Sequence, residues 1–198
     1  MEPQFKIDLA TILGAGGPVI LEVGCGPKKQ DGRIGIDRVD LPAVDIVADL
    51  ETGLPFLPDA SVDEIHCRSV LEHIENFERL FTEMIRVLKD DGRAYLFVPH
   101  FSNPYYYSDC THKRPFGLYT FYYFTEPQHQ LRRKVPSFYT KARIEIVSLK
   151  LKFRSPVRFF HYPRKLLGAI VNLHPALQEF YEAEIGRASC RERVYDDV

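Results

Sequence analysis

Short runs of β-branched and aliphatic residues alternate with loops or with helical spacing through the first two thirds of the chain, the pattern of a parallel sheet with crossovers. Pro18 to Val23 is apolar enough to be buried on both faces and is the first predicted strand. Arg33 to Asp37, Val44 to Ala48, Val62 to Cys67 and Arg93 to Pro99 are the second to fifth. Between the last two, Glu75 to Lys89 sets Phe77, Leu80, Phe81, Met84, Ile85, Val87 and Leu88 on one stripe at helical spacing, and Asp91-Gly92 should end that helix. From His100 to Tyr139 the periodicity fades into aromatic, Pro-containing sequence, a length of loop that usually carries function or small helices. Lys141 to Phe153 alternates apolar and polar positions and predicts a half-exposed antiparallel strand. Arg164 to Ala183 has helical spacing around Pro175, and Val157 to Tyr162 is the remaining strand candidate.

These patterns predict an α/β fold with a mostly parallel, Rossmann-like sheet. The 198 residues suit one domain, expected over residues 1–183, with a first half at about 18–100 and a following segment at about 100–140. Composition, 45% hydrophobic and 27% charged, is that of ordinary globular proteins. No apolar run is long enough to span a bilayer and the N-terminus lacks the plan of a secretory signal, so the expected compartment is the cytoplasm. Cys25, Cys67, Cys110 and Cys190 are scattered without a CxxC pair, which argues against a zinc cluster or a disulfide framework. The net charge of −1 hides one asymmetry, since residues 128–165 hold eleven Lys or Arg and a single acid, Glu145. That basic stretch is a solvated face or a surface for anionic partners, either an acceptor or membrane headgroups.

Candidate chemistry falls at the C-terminal ends of the predicted strands, where open α/β sheets place their ligands. Glu22 precedes Gly24-Cys25-Gly26, where glycines let a backbone approach a ligand closely. A dinucleotide fingerprint requires a third small residue where this chain has Lys29, at the start of a pyrophosphate-binding helix for which residues 24–32 leave no room. Glu22 would repel phosphates and suits a cationic ligand bearing an ammonium group and a sulfonium, which favours S-adenosylmethionine over NAD. Asp37 can accept two hydrogen bonds from ribose hydroxyls, and Asp49-Leu50 can meet an adenine amino group and ring.

Taken in order, LEVGCGP, IGID, DIVADL, SVDEIHCRSVLEHI and RVLKDDGRAYLFVP resemble the motif series of class I S-adenosylmethionine-dependent methyltransferases of the type 11 kind, over about residues 18–100. The resemblance implies that Glu22, Gly24 and Gly26 line the methionine and ribose part of the cofactor, Asp37 the ribose, and Asp49 and Leu50 the adenine. It places Arg68 and Ser69 beside the methionine end. The missing helix between the first two strands resembles a subgroup associated with glycan or other small-molecule modification. Some quinone-type O-methyltransferases carry an acid three residues before a Glu-His pair. Ser69 stands there in this chain, so Glu72-His73 reads as structural and no metal is expected.

The acceptor pocket should involve the segment after the fifth strand. His100 and His112 are its candidate bases, because imidazole titrates near neutral pH. Asn103-Pro104-Tyr105 lies after the wrong strand to be the motif of nitrogen-directed enzymes, which favours oxygen as the methylated atom. The expected function is therefore O-methylation of a small-molecule or glycan-type acceptor. The rival readings are an RNA methyltransferase using the basic, aromatic-rich stretch, and a cofactor-fold protein that binds without catalysis. Residues 184–198 read as a non-native, disordered tail, since EIGRASCRERV is what a sequencing-adaptor read-through would encode, and the last strand of the fold is then expected to be missing.

Overall fold

The computed structural model describes residues 2–153, 159 and 161–189, which fall into two compact units dividing after Phe116. In the first unit the strands β1 (Gln4–Phe5), β2 (Ile20–Val23), β3 (Ile34–Asp37), β4 (Ile46–Val47), β5 (Val62–Arg68) and β6 (Leu88–Phe97) form one sheet in the order β1-β4-β3-β2-β5-β6. All pairings are parallel except β1 with β4. β2 and β5 are central, and their inward positions Leu21, Val23, Ile65 and Cys67 are buried. The sheet is the mostly parallel α/β sheet that the strand pattern predicted.

The first five predicted strands are all present, β2, β3 and β4 shorter than expected and β5 and β6 each extended at one end, and two elements escaped the pattern. β1 is two residues long, too short for any alternation to register. Helix α1 (Leu9–Gly14) is opened by Asp8, whose carboxylate accepts the Thr11 N–H at 3.1 Å and the Thr11 hydroxyl at 2.7 Å. The connection from β2 to β3 contains no helix, as residues 24–32 foretold. Helix α2 (Phe77–Val87) buries Phe77, Leu80, Phe81, Met84 and Val87 from the predicted stripe. It ends at Val87 rather than at Asp91-Gly92, because Leu88 already pairs with Val62 in the sheet. The register then shifts so that Arg93 faces Glu64, which leaves Asp91-Gly92 inside an irregularity of β6.

The second unit holds helices α3 (His161–Val171) and α4 (Pro175–Ser189), which together cover the segment where the sequence showed helical spacing around Pro175. Lys141 to Phe153 is not a strand, contrary to its alternation. Its backbone finds side chains instead of a ladder. The Asn172 amide accepts from Leu151 N–H at 2.8 Å and donates to Leu151 C=O at 2.7 Å, and Gln178 donates to Leu149 C=O at 3.0 Å. Backbone groups satisfied in this way have no need of a neighbouring strand. Helix α4 continues to Ser189, so residues 184–189 are helical rather than disordered, while residues 190–198 and most of Val157 to Tyr162 lie outside the described residues.

Candidate functional site

Parallel strands deliver their C-terminal ends to one edge of the sheet, and the sequence-predicted cofactor residues lie along that edge of the first unit. β2 ends in the loop Gly24-Cys25-Gly26. Gly24 has φ +69°, and a Cβ there would come 2.0 Å from Val70 Cγ2, so both conformation and packing demand glycine. Gly26, at φ +57°, has nothing within 4 Å of the position a Cβ would take. The loop therefore presents bare backbone beside open space, a fit for a ligand that must approach closely.

Asp37 at the end of β3 ties that loop down. Its Oδ2 accepts the Gly26 N–H at 2.9 Å and its Oδ1 accepts the Val39 N–H at 3.0 Å. Each carboxylate oxygen keeps further lone-pair capacity for a hydroxyl donor. Glu22 on β2 is half-buried and meets Arg33 at 3.2 Å and the Gln30 N–H at 3.1 Å, so its charge is partly balanced within the protein. Lys29, where a dinucleotide fold would need a small residue, is ion-paired with Asp45. Between these acids burial pushes the Cys25 thiol up to about 11, helped by the charges of Asp37 and Glu22, so it is no nucleophile at neutral pH.

The next two strands complete the edge. Asp49 caps the 3-10 turn Leu50–Thr52, accepting the Glu51 N–H at 3.1 Å, and Leu50 is buried. β5 ends at Arg68, whose guanidinium lies 5.0 Å from the Phe97 ring centre. Ser69 follows at φ +54°, an unusual backbone for a serine, held by its N–H to Phe97 C=O at 2.8 Å.

The candidate bases differ in their surroundings. His100 Nδ1 accepts the Ser102 N–H at 3.2 Å and contacts the Ser102 hydroxyl at 2.8 Å, which puts the proton of a neutral ring on Nε2. His112 Nδ1 lies 2.8 Å from Tyr106 C=O, an acceptor only, so neutral His112 donates there and keeps a lone pair on Nε2, 3.6 Å from Asp109. Beside it sits a group that strand-end reasoning had set aside. His73 stacks edge-on to His112 at 4.7 Å, and Glu72, 1% exposed, is held above the usual carboxylate range by desolvation. The Lys113 N–H donates to Glu72 C=O at 2.7 Å and fastens the His112 loop to the turn Leu71–His73. The only sequence signal for this meeting was the Glu-His pair itself.

A parallel sheet read at its C-terminal edge, a glycine loop without a pyrophosphate helix, and an aspartate at the end of the next strand make this a Rossmann-like α/β sheet. Residues 21–96 match the family described as a methyltransferase domain. Among solved structures, the chain is similar to an S-adenosylmethionine-dependent methyltransferase from Archaeoglobus fulgidus, at 15% identity and TM-score 0.45, covering 94% of this chain and 90% of that one. It is also similar to the YcgJ protein of Bacillus subtilis, at 24% identity and TM-score 0.38, covering 54% and 61%. A third is an S-adenosylmethionine-dependent methyltransferase from Mesorhizobium loti, at 22% identity and TM-score 0.34, covering 45% and 52%. The chain thus spans between half and about three fifths of the length of the latter two proteins. No curated protein matches it. No helix among the described residues is long and apolar enough to cross a membrane.

Proposed function

We propose that the protein transfers the methyl group of S-adenosylmethionine to a hydroxyl of a small-molecule or glycan-type acceptor. The observation that carries the reading is the joining of Asp37 to the open Gly26 loop. It supports a ligand laid along the ends of β2 and β3, with Asp37 taking ribose hydroxyls, Asp49 and Leu50 the adenine, and Glu22, Gly24, Arg68 and Ser69 lining the methionine end. S-adenosylmethionine supplies an electrophilic methyl on a sulfonium. The acceptor oxygen forms the new bond to carbon as the C–S bond breaks with its electron pair going to sulfur, and the hydroxyl proton must leave.

The chain's own contribution is to position the two reactants in line and to make the hydroxyl ionisable. Of the two candidate histidines, His112 has its Nε2 lone pair available, whereas the His100 Nδ1 is engaged by Ser102. Acceptor ionisation is therefore assigned to the cluster around His112. The basic stretch favours RNA less than its charge suggests, because Arg143 pairs with Glu126 and donates to three carbonyls, and Lys134 donates to two. Calorimetry with S-adenosylmethionine and NAD side by side tests the class. Binding of the first at micromolar concentrations and not of the second is expected, and the reverse would sink the reading.

A further inference from the structure

The turn after β5 and the loop that follows β6 bring together three side chains that the cofactor site does not use. Glu72, His73 and His112 each offer a ligand atom, and these atoms lie within 4.8 Å of one another. A second, independent observation concerns Glu72. It is 1% exposed, and its Oε2 has no hydrogen-bond partner. A buried carboxylate oxygen left without a hydrogen-bond partner is costly, and a cation is what would relieve it.

The histidines are prepared in the manner of metal ligands. His112 Nδ1 donates to Tyr106 C=O at 2.8 Å, which leaves Nε2 as the lone-pair atom. Thr111 gives its one hydroxyl proton to Asp109 at 2.6 Å and so can only accept from His73 Nδ1, 2.9 Å away, which frees His73 Nε2 as well. Hydrogen bonds that fix the tautomer and orientation of a ligating imidazole are the usual outer contacts of metal sites.

We propose that Glu72, His73 and His112 bind a divalent cation of the late first-row class, with Zn2+ as the type. Two imidazoles and one carboxylate suit that class, whereas Mg2+ and Ca2+ favour all-oxygen surroundings. Three protein ligands leave a position open, as in catalytic rather than structural zinc sites. What the cation does rests on the methyl-transfer reading: the acceptor hydroxyl takes the open position, the cation lowers its pKa, and its proton passes to solvent before the oxygen attacks. The spacing argument sought a third ligand at Ser69, three residues before Glu72, while the fold brings His112 from a later loop.

The test uses the full chain, stripped of metal, titrated with Zn2+ and Mg2+ by calorimetry and with Co2+ by visible absorption. One equivalent of Zn2+ should bind, Mg2+ should not compete, and Co2+ should give a spectrum without a thiolate charge-transfer band. Glu72→Gln and His112→Asn should each weaken Zn2+ binding by tenfold or more, and Thr111→Val by about tenfold through the orientation of His73. Cys110→Ser should change nothing. Absence of Zn2+ binding, binding indifferent to Glu72→Gln and His112→Asn, or binding lost in Cys110→Ser would overturn the proposal, and S-adenosylmethionine affinity reports whether each variant is folded. Zn2+ binding in a protein that takes no S-adenosylmethionine would instead overturn the methyl-transfer reading and leave the site standing.

Discussion

At the scale of single residues, Asp37 and His112 separate two kinds of work. Asp37 holds the Gly26 N–H and has oxygen capacity to spare, so under the proposed function removing its carboxylate would cost both loop order and two ligand hydrogen bonds. Asp37→Ala is expected to weaken S-adenosylmethionine binding by about 2 to 3 kcal/mol, the size of two charge-assisted hydrogen bonds, as measured by calorimetry. Unchanged affinity in a folded variant would remove Asp37 from the site. For the histidines the expectation is asymmetric. His112→Ala should lower turnover on a hydroxyl acceptor about a hundredfold or more, while His100→Ala, whose ring serves Ser102, should stay close to the parent. Equal losses in single-turnover assays would contradict the assignment. The sequence made both histidines candidates from position alone. What distinguishes them is the partner of each Nδ1, Ser102 two residues on for His100 and the Tyr106 carbonyl six residues back for His112, which the conformation of the loop decides and no hydrophobic pattern records.

At the scale of elements, legibility followed the burial of apolar positions. β2 to β4 announced themselves because their aliphatic residues are needed in a covered sheet, β5 by the alternation that buries Ile65 and Cys67, and α2 because its buried stripe recurs at helical spacing. Lys141 to Phe153 misled because alternation records which side chains are half-exposed, not whether a partner strand exists. One device within α2 was invisible in the periodicity. Arg86 meets Glu83 at 2.8 Å and donates to Leu57 C=O at 2.9 Å and Leu54 C=O at 3.0 Å, fastening the helix to the β4–β5 connection. The same guanidinium, by hydrogen bonding, holds Glu83 below the usual carboxylate range. A carboxylate depressed on folding contributes stability that is complete above its unfolded pKa, about 4.3, and is lost as pH falls through the folded value. Urea midpoints at pH 7 and pH 3 should therefore differ more in the parent than in Glu83→Gln, and equal differences would show the pair to be idle. Gly24→Ala combines a left-handed backbone with a clash on Val70 and should cost on the order of 2 kcal/mol, partly restored by Val70→Ala.

At the scale of the whole molecule, the grouping of the candidate cofactor residues on one edge was legible because a parallel sheet gathers strand ends that the sequence already marks with glycine or acid. The Glu72, His73 and His112 cluster was not, since only folding joins the turn after β5 to the loop beyond β6. The reading of residues 184–198 as foreign to the gene predicts that deleting them leaves S-adenosylmethionine affinity intact. A lost affinity would tie the end of α4 to function. The sheet order ends at β6, which among the described strands pairs with β5 alone, and its Tyr95 is 47% exposed, stacked on His66 at 4.7 Å. An edge strand with apolar, solvent-facing residues is a template for pairing with a second chain, and natural edges are blunted with lysine. Ala94, also exposed on β6, is a place to add that charge. Ala94→Lys is expected to lower concentration-dependent light scattering while leaving the thermal midpoint and S-adenosylmethionine affinity near the parent values. Scattering unchanged by the lysine would mean that β6 is not the surface through which the protein associates.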